Sequence, residues 1–98
     1  MTDTPVIERA DGRWRVCGPV TLASVESLLA QGKQALNGNE LTFDLSGVSE
    51  ADSSAVALML AWSREASARG ASICFQNLPQ NLRTLVSVYD VGELLPCV

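Results

Sequence analysis

The chain has 98 residues, 47% of them hydrophobic, and a formal net charge of −4; this suits a single compact domain, residues 1–98, with a modest core. Its seven basic residues, Arg9, Arg13, Arg15, Lys33, Arg64, Arg69 and Arg83, are scattered, so the sequence lacks the concentrated positive surface needed to bind nucleic acid or anionic lipid. There is no histidine, which removes the usual general base and the commonest transition-metal ligand.

Met1-Thr2-Asp3-Thr4-Pro5 is polar and acidic and lacks the charged and apolar regions of a secretion signal. Val6 to Glu8 then reads as a short strand and Asp11-Gly12 as a hairpin turn. Arg13-Trp14-Arg15-Val16-Cys17 alternates, with Trp14 and Val16 on the core face and the arginines outside, as in a half-buried strand. Gly18-Pro19 is expected to end it. A helix is predicted from Thr21, its cap, with Leu22, Val25, Leu28, Leu29 and Leu36 as the apolar stripe. Asn37-Gly38-Asn39 is expected to stop this helix.

Leu41 to Leu45 is the next predicted strand, followed by a loop over Ser46 to Ala51. From Asp52 the pattern is helical as far as Arg69. Asp52 or a following serine caps this helix, Arg64 and Arg69 suit its C-terminal dipole, and Gly70 ends it. Its first half, Ala55 to Trp62, is apolar on nearly every side. Such a helix is either deeply buried or covered by something else. That run is also the longest apolar stretch, well short of the ~20 residues a spanning helix needs. Trp62 reads as core.

Ser72 to Phe75 is a strand. Pro79 opens a last helix with Leu82, Leu85, Val86 and Tyr89 on one face. Gly92 is expected to close it, and Leu94-Leu95-Pro96 forms an apolar tail. The order β-β-α-β-α-β-α gives an α/β domain with a small mixed sheet and helices packed on it. Cys17, Cys74 and Cys97 form no CxxC motif and no zinc set. They are expected to be reduced, the first two as small strand hydrophobes and Cys97 as an exposed thiol.

The chemistry concentrates in Asp44-Leu45-Ser46-Gly47-Val48-Ser49-Glu50-Ala51-Asp52-Ser53-Ser54-Ala55. A strand ends in a carboxylate, a short segment adds further carboxylates and adjacent hydroxyls, and a helix begins. Backbone N–H groups at that helix start favour negative charge, so a phosphate on Ser53 or Ser54 would be held by them. Asp44, Glu50 and Asp52 would repel it, which makes the segment a candidate charge switch. Asp-Ser-Ser is equally an ordinary helix start. Two further readings pair Asp44 with Asp52, as a magnesium site or as acid–base carboxylates. The expectation adopted is no metal, no cofactor and no catalysis.

Asp44-Leu45-Ser46 with Asp52-Ser53-Ser54 resembles the signature of the STAS family, and the element order and length agree over nearly the whole chain. That resemblance implies a STAS-type fold. In the anti-sigma-factor-antagonist branch the second hydroxyl of the loop is phosphorylated by a partner kinase, which makes Ser54 the candidate phosphoacceptor. Two departures separate this chain from that branch. Ala55 replaces the usual glycine, and Gly18-Pro19-Val20-Thr21 replaces the usual Gly-x-Leu-Asp turn.

The MlaB-type branch is the better match. Asp52 to Trp62 is similar to its helix, and Phe75-Gln76-Asn77-Leu78-Pro79, Leu82, Leu85 and Tyr89-Asp90-Val91-Gly92-Glu93-Leu94-Leu95-Pro96 are similar to its C-terminal half. The likeness implies a non-enzymatic subunit that binds the ATPase of an Mla-type ABC transporter, in a complex with the permease. That transporter moves phospholipids and maintains outer-membrane lipid asymmetry. The chain would then be cytoplasmic, held to the inner membrane by its partner and not inserted directly. Asp52, Ser53 and Ser54 are the expected partner-binding or regulatory residues, with Asp44, Ser49 and Glu50 as a supporting loop. The alternative is an anti-sigma-factor antagonist whose partner is an anti-sigma kinase acting on Ser54.

Overall fold

A computed structural model describes residues 5–36, 40–95 and 97. Strands β1 (Val6–Ala10) and β2 (Arg13–Val20) lead to helix α1 (Val25–Ala35). Strand β3 (Glu40–Ala51), helix α2 (Ser53–Ala68), strand β4 (Ser72–Gln76) and helix α3 (Gln80–Val88) follow, and Gly92–Leu94 forms a 3-10 turn. The order is the expected one. The four strands lie in the order β1-β2-β3-β4. The first pair is antiparallel and the other two are parallel, so the sheet is mixed.

The hairpin turn is where the sequence placed it. Asp11 and Gly12 both have positive φ, 53° and 76°, as a two-residue turn between twisted strands requires. The two parallel crossovers step along the sheet in the same direction, so α1 and α2 cover the same face. Val16, Leu41, Phe43, Leu45, Ile73 and Phe75 alternate onto that face and are buried. Phe43 lies at the centre, its ring centroid 4.8 Å from that of Trp62 on α2 and 6.1 Å from that of Phe75. Trp62 is 1% exposed, as the core reading required.

The seam between α1 and α2 is set by a missing side chain. A Cβ on Gly32 would come within 2.0 Å of the Trp62 indole nitrogen. Glycine therefore lets the indole lie against the α1 backbone. Among the described residues the indole N–H has no hydrogen-bond partner there, a desolvation cost of about 1–3 kcal/mol that the packing must offset. Arg69 closes the other end of the seam. Its guanidinium donates to the carbonyls of Lys33 and Leu36 at 3.4 and 3.2 Å and pairs with Glu65 at 3.1 Å. Arg69 thus satisfies the last turn of α1. Its expected role was at the C-terminus of its own helix.

Several boundaries differ from expectation. Gly18-Pro19 does not end β2, which runs on to Val20, and the segment 46–51 is strand, not loop. Register shifts at Arg15/Cys17 and Gly18/Pro19 let β2 accompany β3 to the Val20–Ala51 pair. Proline fits because its missing N–H is accommodated at a bulge. Helix α1 starts at Val25, not Thr21, because Ser24 ties the preceding turn together. Its hydroxyl accepts from the Thr21 N–H at 3.0 Å and donates to the Pro19 carbonyl at 2.8 Å. Leu22 falls in that turn and is 76% exposed, outside the apolar stripe. Helix α3 ends before Gly92. Asp90 takes the left-handed conformation at φ 55°, and Gly92 opens the 3-10 turn. The expected stop at Asn37-Gly38-Asn39 and the residue Pro96 lie outside the described residues.

Candidate partner-binding site

Strand β3 delivers the chain from the sheet into α2, and Asp52 makes the turn. Its backbone is extended, and Oδ1 accepts from the Ser54 N–H at 2.8 Å. This is the side-chain cap expected of aspartate at a helix start. The other carboxylate oxygen, Oδ2, accepts from the Leu22 N–H at 3.1 Å. One carboxylate therefore joins the start of α2 to the β2–α1 turn. Burial of Asp52 opposes its ionisation. The N–H groups of Leu22 and Ser54 and the Ser54 hydroxyl outweigh that effect and hold the carboxyl below its ordinary value.

The two serines diverge. Ser54, within the cap, is half-buried, whereas Ser53 is exposed. Ser53 stands on the rim of a groove of about 490 Å³ lined by Val56, Ala57, Leu60, Tyr89 and Val91. Tyr89 and Leu94 are 50% and 64% exposed. Leu94 walls an adjoining groove with Leu60, Ser63, Arg64 and Ser67 along α2. The all-round apolar first half of α2 thus has its explanation in part. Ala55, Val56, Leu58, Met59 and Trp62 face the core, and Ala57 and Leu60 line the open groove.

Ser49 and Glu50 are exposed residues near the end of β3, the latter paired in register with Pro19. They flank the α2 start as expected, but from strand, not loop. Asp44 does not join them. It sits mid-strand, eight residues before Asp52, a separation of roughly 25 Å at about 3.3 Å per residue of extended strand. There Oδ1 accepts from the Ser46 N–H at 2.9 Å and from the Asn77 amide at 3.2 Å, and Arg15 stands 3.9 Å from Oδ2. Burial opposes ionisation of Asp44. The Ser46 N–H and hydroxyl, the Asn77 amide and the Arg15 guanidinium prevail and lower its pKa.

Asp44 and Asp52 are too far apart to share one cation or one proton transfer. Both the magnesium reading and the paired-carboxylate reading fail on that distance. Among the described residues, no group of three or more His, Cys, Asp and Glu is placed to hold a metal ion. No helix there is long and apolar enough to cross a membrane.

Sequence reasoning missed the Leu22 tie and the wall formed by Tyr89, Val91 and Leu94. The first is a backbone donor and carries no side-chain signal. For the second, the sequence put Tyr89 on the apolar face of the last helix and Leu94 in an apolar tail, but their meeting with α2 is a tertiary fact.

The family model described as Mlab, STAS domain matches residues 5–96. No curated protein matches the sequence. Among solved structures, the unphosphorylated form of the anti-sigma factor antagonist SpoIIAA superposes with a TM-score of 0.71 at 21% identity, covering 92% of this chain and 84% of that one. An anti-sigma-factor antagonist (STAS) domain protein from Planctomyces limnophilus gives 0.71 at 15% identity, over 94% and 86% of the two chains. The Bacillus cell fate determinant SpoIIAA in its phosphorylated form gives 0.66 at 20%, over 92% and 86%. At these identities the likeness is one of fold.

Proposed function

The chain belongs to the MlaB-type STAS domain family, and we propose that it is a non-enzymatic accessory subunit docking on the ATPase of an Mla-type ABC transporter. In this reading residues 1–98 act as one STAS domain on the cytoplasmic side of the inner membrane. The partner ATPase sits with its permease in a complex that moves phospholipids to maintain outer-membrane lipid asymmetry. The observation that carries the reading is the position of Ser53. It projects from a firmly capped helix start, directly beside an open apolar groove. Exposed aromatic and aliphatic side chains next to a small polar residue suit a protein partner. Asp52 acts by holding Ser53 and Ser54 in place, and Ser49 and Glu50 form the polar rim.

Ser53→Glu tests this directly. A carboxylate in the first turn of α2 favours the helix dipole, so the domain keeps its fold while the groove rim gains bulk and charge. Tagged wild-type chain, expressed in its native host, is expected to copurify the ATPase and permease from detergent-solubilised membranes. The Ser53→Glu variant is expected to lose them with an unchanged circular dichroism spectrum. Normal copurification by that variant would refute the interface assignment.

A second reading keeps Ser54 as a phosphoacceptor in an anti-sigma-factor antagonist. Its support is the fold shared with SpoIIAA, which has been seen in a phosphorylated form. Against it, the Ser54 N–H already serves the Asp52 carboxylate, and that negative charge would face a phosphate. Recovery of a serine kinase, with a phosphate-sized mass increase on Ser54, would favour this reading.

A further inference from the structure

We propose that Cys74 and Cys97 form a thiol–disulfide switch that fastens the C-terminal segment across the β4 edge of the sheet. The two residues are disulfide-bonded, with Cα atoms 5.1 Å apart and a sequence separation of 23. This corrects the expectation of three reduced thiols; among them only Cys17 is free. The inference concerns the chain itself and does not rest on the transporter reading.

The placement gives the bond its effect. Ile73 and Phe75 face the helices and are buried, so Cys74 between them faces the opposite, open side of the sheet. Leu94 lies on the helix side, against Leu60, Ser63, Arg64 and Ser67 of α2. Leu94 is therefore on the helix side, whereas Cys97 is bonded to Cys74 on the open side of the edge strand β4. Little else holds the segment there. Among the described residues, the backbone hydrogen bonds donated by Val91, Leu94 and Leu95 go to Val86, Val91 and Gly92, all within the segment and the end of α3. Leu95, 4% exposed, is the apolar anchor. Opening the disulfide leaves Leu95, with the partly buried Val91, to hold the groove wall that Leu94 supplies, among the described residues.

Access also favours reversible chemistry. Cys97 is exposed and Cys74 is half-buried, and exposed disulfides are the more readily exchanged kind. The oxidant is a small-molecule disulfide of the glutathione type. The Cys97 thiolate attacks one of its sulfurs, breaking that S–S bond and releasing one thiol as a mixed disulfide forms. The Cys74 thiolate then attacks the Cys97 sulfur and releases the second. Two protein thiols and one small disulfide become one protein disulfide and two small thiols. Both protons end on the released thiols. Cys17 is an internal control. Its thiol is 3.6 Å from the Glu8 carboxylate. Burial, then that carboxylate, pushes its pKa up, which leaves less of the reactive thiolate.

The test equilibrates the purified full chain in glutathione buffers from fully reduced to fully oxidised, traps thiols by alkylation and reads intact mass and amide hydrogen exchange. The expected result is three alkyl adducts when reduced and one, on Cys17, when oxidised. Exchange over residues 92–95 is expected to quicken at least about tenfold on reduction, with α2 and β3 unchanged. Cys97→Ser and, independently, Cys74→Ser are expected to show the fast exchange in both buffers. Three adducts at every ratio, or pairing through Cys17, would overturn the proposal. So would an unchanged exchange rate at 92–95 on reduction. Loss of protection across the whole sheet would mark a structural staple and also overturn it.

Discussion

Removing the Asp52 side chain should weaken two elements at once. In Asp52→Ala the α2 cap to Ser54 is lost, at about 1 kcal/mol. The tie to Leu22 is lost as well, and a hydrogen bond to a charged acceptor is worth about 1.5–3 kcal/mol when buried and less at this partly exposed position. The negative charge at the helix start adds about 0.3–1 kcal/mol. Together these give an expected loss of about 2–4 kcal/mol, a fall in melting temperature of about 10–25 °C for a domain of this size. Asp52→Asn keeps one acceptor oxygen and should lose about 1–2 kcal/mol. The measurement is urea unfolding of the three proteins at several pH values, followed by circular dichroism. Both Asp44 and Asp52 have native pKa values lowered below the ordinary carboxylate range. The stability each contributes is present above the unfolded-state value of about 3.9 and is lost as pH falls through the lower native value. The gap between wild type and Asp52→Asn should therefore be widest near neutrality and narrow on acidification from about pH 5 downward. A gap that stays constant down to acid unfolding would show that the Asp52 charge is not stabilised in the folded state. An Asp52→Ala protein as stable as wild type would remove the double tether altogether.

Other substitutions probe the packing. Gly32→Ala should cost about 3 kcal/mol or more, at or above the upper end of ordinary overpacking, because the new Cβ meets the Trp62 nitrogen at 2.0 Å. In a Trp62→Phe background the same change should cost at least about 1 kcal/mol less, a coupling read from a double-mutant cycle. Arg69→Ala should lose about 1–2 kcal/mol in urea unfolding, since two α1 carbonyls lose a donor; Arg69→Lys, lacking the fork, should recover only part of it. Leu22→Ala should stay within about 0.5 kcal/mol of wild type, whereas Leu28→Ala, in the core, should cost about 2–5 kcal/mol.

The elements were legible wherever one signal was strong and local. Asp11-Gly12, the alternation at Trp14 and Val16, the capped start of α2 and the apolar face of Leu82 and Val86 all read correctly from residue types. The failures lie where a tertiary partner overrides a local cue. Gly18-Pro19 signals a break, but β3 runs alongside and carries the strand through it. Ser46 to Ala51 has the serine and glycine content of a loop, yet it is held as strand by β2. Leu22 keeps helical spacing with Val25, yet Ser24 fixes a turn ahead of the helix. The candidate site was half legible. The Asp-Ser-Ser helix start showed Asp52 as the cap, and the family likeness pointed to Ser53 and Ser54 as candidates. The groove beside them depends on where Tyr89 and Val91 fold back, and residues so distant in sequence leave no periodicity to read. Asp44 was drawn into the site by proximity in sequence, and the length of β3 takes it away again.

The close approach at Gly32 also makes the domain self-reporting. Trp62 sits in an apolar setting, 1% exposed and with no partner for its N–H among the described residues, so its fluorescence should be blue-shifted relative to an indole in water. Trp14, only half-buried and with the Arg9 guanidinium 5.3 Å from its ring centre, should emit at longer wavelength and be quenched more easily by added solutes. The two indoles thus watch different regions, one the α1–α2 seam and the other the β1–β2 hairpin. Separating their emission would show whether the hairpin and the helical layer let go together or one after the other.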